Sequence, residues 1–274
     1  FEGVAISPSG NTLFAILQDP LAAEGNQNQG RRSRNLRIVS FDTSSGLSTA
    51  QHVYQLEEVT SINQRVSFDF AARHQGRKIG VSAIRALNDH DLLVLERDNR
   101  GLGVENPINN DPEAADVGTK RIYEVNLQPA TDVTSISLAG SSTLPIGVLP
   151  VTKTLAVDIH SALVNAQLVT PEKLEGVTIG PRLNDGTYAV IVSSDNDFSA
   201  LPSGNTFLDI YADGSSGPAD GDSLGRTLLP SYLYAFKLNL PNYIELVPEP
   251  STITLLIGLL LAAAMTRHTR GARQ

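Results

Sequence analysis

"IGVSAIRALNDHDLLVLERD", residues 79–98, holds two short runs rich in Ile, Val and Leu on either side of Asn88-Asp89-His90. The Asn and Asp suit a tight turn, so the stretch reads as a β-hairpin whose second strand ends in Glu96-Arg97-Asp98. Two other stretches repeat the plan. "FEGVAISPSGNTLFAILQD" (1–19) turns at Pro8-Ser9-Gly10-Asn11, and "LEGVTIGPRLNDGTYAVIVSSD" (174–195) turns at Leu183-Asn184-Asp185-Gly186. A third strand follows each hairpin: "LRIVSFD" (36–42), "RIYEVNL" (121–127) and "YLYAFKL" (232–238). Fourth strands are expected at 51–57 and 132–138.

The hairpins lie about 80 to 95 residues apart, about twice the length of one four-stranded propeller blade. Radial repetition of antiparallel sheets protects strand edges. The expected fold is therefore all-β: an incomplete β-propeller with blades of four antiparallel strands, with a β-sandwich as the alternative. With 22 glycines and 15 prolines, the composition agrees with many short strands and turns. The expected domains are 1–245, the propeller, and 246–274, a C-terminal hydrophobic helix with a basic tail.

The net charge of −8 comes with three arginines, Arg267, Arg270 and Arg273, confined to the last residues, so the body is more acidic still. Such a surface repels phosphate backbones, which argues against a nucleic-acid partner. The chain has no cysteine, which excludes disulfides and thiolate metal sites. The five histidines, at 52, 74, 90, 160 and 268, show no zinc spacing. There is no Gly-x-Ser-x-Gly elbow, P-loop or dinucleotide fingerprint.

In an antiparallel pair, the start of the first strand lies beside the end of the second. One end of the repeated hairpins thus gathers Glu2, Asp19, Glu96, Asp98, Glu175, Asp195 and Asp197. Arg34, Arg97 and Arg121 stand among them. Converging carboxylates repel unless a cation or a basic group lies between them. Oxygen ligands suit Ca²⁺, and a cation flanked by Arg suits a phosphate ester. Any one of these acids equally suits a turn cap or a pair with a neighbouring Arg. "SSDNDF" (193–198) fits both a cation and an ordinary Asx turn. "DGSSGPADGD" (213–222) and "GRRSR" (30–34) read as solvated loops.

The segments "FEGVAISPSGNTLFAILQDPL", "LLVLERD", "KRIYEVNLQPATDV" and "LEGVTIGPRLNDGTYAVIVSSDNDF" resemble the phytase-like family, also described as having esterase-like activity of phytase. The likeness runs from Phe1 to about Leu240. It implies a divalent-cation-dependent phosphoester hydrolase acting on a phosphorylated small molecule. Glu2, Glu175, Asp195 and Asp197 would hold the metal, and Arg97 or Arg121 the phosphate. The alternative is a non-catalytic surface propeller that binds a ligand, glycan or matrix component. Members of the family usually carry a further N-terminal portion. With no initiator Met and no signal peptide at Phe1, the chain is expected to be truncated at its N-terminus.

Residues 247–274 read "VPEPSTITLLIGLLLAAAMTRHTRGARQ". The apolar run Ile253–Met265 is shorter than the about 20 residues that span a bilayer, and arginines follow it, as on a cytoplasmic flank. Pro248-Glu249-Pro250, the apolar run and the terminal arginines together resemble the PEP-CTERM sorting signal of Gram-negative envelope proteins. That resemblance implies export, a transmembrane anchor, and an exosortase as processing partner.

Overall fold

The computed structural model of the chain describes residues 1–21, 32–138, 142–219 and 225–245. The chain divides into a unit Phe1–Tyr243 and a unit Ile244–Gln274. The sorting motif Pro248-Glu249-Pro250 and the expected C-terminal apolar helix lie outside the described residues. Among the described residues no helix is long and apolar enough to cross a membrane.

The first unit is built of antiparallel sheets. In the first sheet, β1 (Gly3–Ile6), β2 (Thr12–Ile16), β3 (Asn35–Asp42) and β4 (Ser48–Gln55) follow one another as a meander. A short helix, α1 (Val59–Ile62), precedes the second sheet. That sheet repeats the meander with β5 (Ile79–Ala86), β6 (Asp91–Asp98), β7 (Lys120–Asn126) and β8 (Thr152–Asp158). Helix α2 (Ile159–Asn165) leads to the third sheet, in which β9 (Leu174–Arg182) pairs with β10 (Tyr188–Ser194), and β10 with β14 (Leu233–Leu238). A small sheet of β11 (Ala200–Ser203), β12 (Thr206–Ile210) and β13 (Ser216–Pro218) is inserted between β10 and β14.

All three expected hairpins form, and each gains its expected third strand. The fourth strands differ from expectation. The strand expected at 51–57 overlaps β4, whereas 132–138 is not a strand and the fourth place is taken by β8. Val133 and Leu138 instead pack on Val53, on the far face of β4. Arg37 fixes them there by donating to the carbonyl oxygens of Val133 (2.9 Å) and Ile136 (2.7 Å). Apolar residues that could have alternated along a strand thus serve as a plug over a sheet face.

The three large sheets stack through their first strands, β1 beside β5 and β5 beside β9. Gly3 allows the closest approach. A Cβ there would lie 3.0 Å from the backbone nitrogen of Ile84 and 2.9 Å from the Ile16 side chain, so any larger residue would push the sheets apart. One core, with Phe14, Ile38, Tyr54, Ile84 and Val94, fills the space between the first two sheets. Another, with Leu93, Leu95, Ile122, Leu174 and Val192, fills the space between the second and third. The second sheet is therefore covered on both faces, and no residue of β6 is exposed. This is why β6 carries an unbroken run, Leu92 to Leu95, rather than polar–apolar alternation.

The expected propeller ring is not closed among the described residues. Val4 (57% exposed) and Ile6 (53%) stand on the uncovered side of β1. The alternating pattern of β1, buried at Gly3 and Ala5, leaves them facing outward. Leu95→Ala should cost about 2–5 kcal/mol in urea denaturation, since it opens a cavity in a fully covered sheet. Val4→Ser should stay within about 0.5 kcal/mol. A large loss at Val4 would show that this face is covered in solution.

Candidate functional site

Register places a band of charge at one end of the three sheets. Ile79 opposes Asp98, and Arg97 opposes Lys120. Arg121 opposes Asp158, and Leu174 opposes Ser194. Alternation along β6 then sends consecutive charged residues to opposite faces.

Glu96 points toward the first sheet and is fully buried. Its carboxylate accepts from the Tyr54 hydroxyl (2.7 Å), the Glu57 amide (2.7 Å) and Lys153 Nζ (2.8 Å). Lys153 also lies over the rings of Tyr123 (4.0 Å) and Tyr54 (4.7 Å), which repays part of its desolvation. Burial, with Glu96 beside it, raises the Tyr54 hydroxyl well above its usual pKa.

Arg97 points the other way and donates to Glu175 Oε1 at 2.7 Å. Arg121 is held between Asp158 (2.8 Å) and Glu57 (2.8 Å), and Glu57 also takes Arg65 (2.8 Å). Burial opposes the charge of Arg121, but hydrogen bonds to Tyr123 and Asp158 and the Glu57 carboxylate outweigh it, so its pKa is raised.

Behind this band Lys120 and Asp98 form an ion pair at 2.9 Å with both side chains fully buried. Asp98 accepts from the amides of Gly118 (2.7 Å), Thr119 (2.9 Å) and Arg100 (3.1 Å), and Lys120 donates to the carbonyl of Glu172 at 2.8 Å. Burial lowers the pKa of Lys120. The Glu172 side chain sits beside this pair, 1% exposed, and neither of its carboxylate oxygens has a hydrogen-bond partner. Gly103 makes the room: a Cβ on it would lie 2.3 Å from Glu172 Oε2.

The sequence-predicted metal ligands are not brought together. Glu175 is taken by Arg97, and Asp197 by Lys173, which also approaches Glu105 at 3.5 Å. Asp195 accepts the Asp197 amide at 3.0 Å, so the Asx turn is the outcome for "SSDNDF". Glu2 is exposed just before β1, and β5 lies between β1 and β9. Among the described residues no three acidic or histidine side chains form a group able to hold a metal. Glu175 and Asp197 are taken by basic side chains, Asp195 by an amide, and Glu2 stands apart from all three, so these residues do not fit a resident Ca²⁺. Of the other rim residues, Arg34 is bound by Glu58 and by the Leu56 carbonyl.

The turn after β10 is strained. Asp197, Phe198 and Ser199 have φ of 44°, 59° and 58°, a left-handed run costing on the order of 1–3 kcal/mol per residue. It is pinned where Ser199 Oγ (2.6 Å) and Asn196 Nδ2 (2.8 Å) donate to the Leu229 carbonyl. Phe198 is left 96% exposed.

The band is not closed everywhere. A small cavity is lined by Gln18, Asp19, Arg77, Lys78, Arg97 and Asn99. Arg97 is nine-tenths buried, yet its Nε has no partner, and neither has Asn99 Oδ1. Arg121 does not line this cavity. Of the two arginines expected to hold phosphate, Arg97 thus has open donor capacity, and Arg121 is taken up by carboxylates. Arg77 and Lys78 were missed in the sequence. They directly precede β5, and the register rule that picked out Glu96 to Asp98 would have found them.

Burial pushes the Glu172 carboxyl up to about 7. A carboxyl with a raised folded-state pKa contributes stability below its unfolded value, and that contribution is lost as pH rises through 7. Urea denaturation at pH 5 and pH 8 should show the wild type losing up to about 3 kcal/mol relative to Glu172→Gln. Parallel pH profiles for the two proteins would mean that Glu172 is ionised and satisfied at both pH values.

The family model described as phytase-like, esterase-like activity of phytase, matches residues 1–198. No curated protein and no solved structure matches the chain. The matched span contains the first two sheets, the β9–β10 hairpin and every residue of the Arg97 cavity, and the chain belongs to the phytase-like family.

Proposed function

We propose that the chain hydrolyses phosphate esters at the Arg97 cavity. The observation that carries this reading is the unpartnered Nε of a nine-tenths buried arginine in a cavity that also holds Arg77 and Lys78. Arg77, Lys78 and Arg97 stand against Asp19 in the lining and against Glu175, which pairs with Arg97, a balance that still favours an anion, and a planar guanidinium suits phosphate oxygens. Membership of the family supports the same class of substrate.

In this reading Arg97, Lys78 and Arg77 hold the ester and stabilise the charge that develops on its oxygens. Asp19 takes a proton from the attacking water, the phosphorus–ester oxygen bond breaks, and the departing alkoxide is protonated from solvent. No step is routed through a resident metal, because among the described residues no three acidic or histidine side chains are grouped to hold one. The stacking of β1, β5 and β9 and the repeated four-stranded meander support a propeller as the full architecture. Pro248-Glu249-Pro250, the apolar run and the terminal arginines support export, exosortase recognition and retention at the envelope of a Gram-negative cell.

Assay of the purified chain with p-nitrophenyl phosphate and bis-p-nitrophenyl phosphate tests the reading. Arg97→Gln should lower kcat/KM by about 10- to 100-fold, the worth of a charge-assisted hydrogen bond. Lys78→Gln should raise KM more than it lowers kcat. Folded wild-type protein that turns over neither substrate would overturn the hydrolase, as would turnover unaffected by Arg97→Gln.

A further inference from the structure

We propose that the cleft between the first and second sheets, at the end opposite the Arg97 cavity, is a binding site for a neutral sugar unit. The two sites share no residue. Asp19 and Lys78 lie at one end of β2 and β5, and this cleft lies at the other, where β2 begins at Thr12 and the β5–β6 turn carries Asp89 and His90.

The cleft is a cavity of about 350 Å³, within the range of small-molecule sites. Its floor is apolar and fixed: Phe14 and Leu127 line it and belong to the core between the two sheets. One wall carries Thr12, Ser40 and His52 from β2, β3 and β4. The other carries Asp89, His90 and Gln128 from the two turns of the second sheet.

The walls are held in place by contacts that leave polar groups over. Asp89 accepts from Ser9 Oγ at 2.8 Å, which ties the β1–β2 turn to the β5–β6 turn. His52 Nδ1 lies 3.3 Å from the Thr131 carbonyl, which sets the ring and leaves its second nitrogen available. The Leu127 amide donates to the His90 carbonyl at 3.0 Å, which braces the second wall.

The chemistry of the walls selects the ligand class. The Ser9 hydrogen bond lowers the pKa of Asp89, so the carboxylate stays charged and repels the anions that the opposite end attracts. A purely apolar ligand would cover the Gln128 amide, the Thr12 and Ser40 hydroxyls and the remaining acceptor capacity of Asp89 without replacing their hydrogen bonds to water, which costs free energy for each group covered. A sugar meets both demands. Its hydroxyls donate to Asp89 and exchange hydrogen bonds with Gln128, Ser40 and Thr12, and its C–H face covers the apolar floor.

Isothermal titration and chemical-shift mapping of the full chain with the methyl glycosides of glucose, galactose, mannose and N-acetylglucosamine test the proposal. At least one should bind at millimolar concentration and shift signals of Thr12, Ser40 and His90. Asp89→Asn and Gln128→Ala should each weaken it about tenfold or more, while Arg97→Gln leaves it unchanged. Gln128 makes no structural contact through its side chain, so its variant keeps the test valid if Asp89→Asn loosens the turn. Failure of all four glycosides to bind would overturn the proposal. So would binding indifferent to both cleft variants, or tetramethylammonium binding in preference to every glycoside.

Discussion

A strand buried on both faces cannot discharge its polar residues into water, and β6 is such a strand. Its charged end must therefore find partners inside the protein, and alternation divides that demand between two neighbouring sheets. Glu96 draws Tyr54 and Lys153 from strands of the first and second sheets, and Arg97 draws Glu175 from the third. Loss of one partner of a buried pair costs about 3–5 kcal/mol because it strands the other charge. The same residues that look like a catalytic rim in the sequence thus fasten the sheets to each other, and only what they leave unsatisfied is available for chemistry.

Much of the fold was legible because turns and strands are local. Asn88-Asp89-His90 and the apolar runs around it form the hairpin their composition implies, and antiparallel register places Glu96, Arg97, Asp98, Lys120 and Arg121 at one end. The fourth strand of the second sheet was not legible. Residues 132–138 and 152–158 are both apolar enough to pair with β7, and the choice depends on Arg37, almost a hundred residues away in sequence from Val133 and Ile136.

The site was half legible for a similar reason. Which acids share an end follows from register, but which base captures each acid is a tertiary fact. Glu175 goes to Arg97, Asp197 to Lys173, and Glu57, which no motif marked, takes both Arg65 and Arg121. Glu172 is a further case. Nothing in "TPEKLEG" distinguishes a carboxyl buried against Gly103 from one at the surface. Across the two ends of the sheets, the contrast in charge is also tertiary: Arg77, Lys78 and Arg97 converge at one cavity, while Asp89, two histidines, hydroxyls and an amide line the other.

The turn at Asp197–Ser199 has a consequence for how the chain comes apart. Left-handed backbone at three successive residues is strained, and Phe198, bare to solvent, is the side chain that chymotrypsin-type proteases seek. A nick there would leave β1 to β10 on one fragment and β11 to β14 on the other. β14 is zipped to β10 from Tyr188 opposite Leu238 to Ser193 opposite Leu233, so the two pieces would travel together as a non-covalent complex until denaturant parted them.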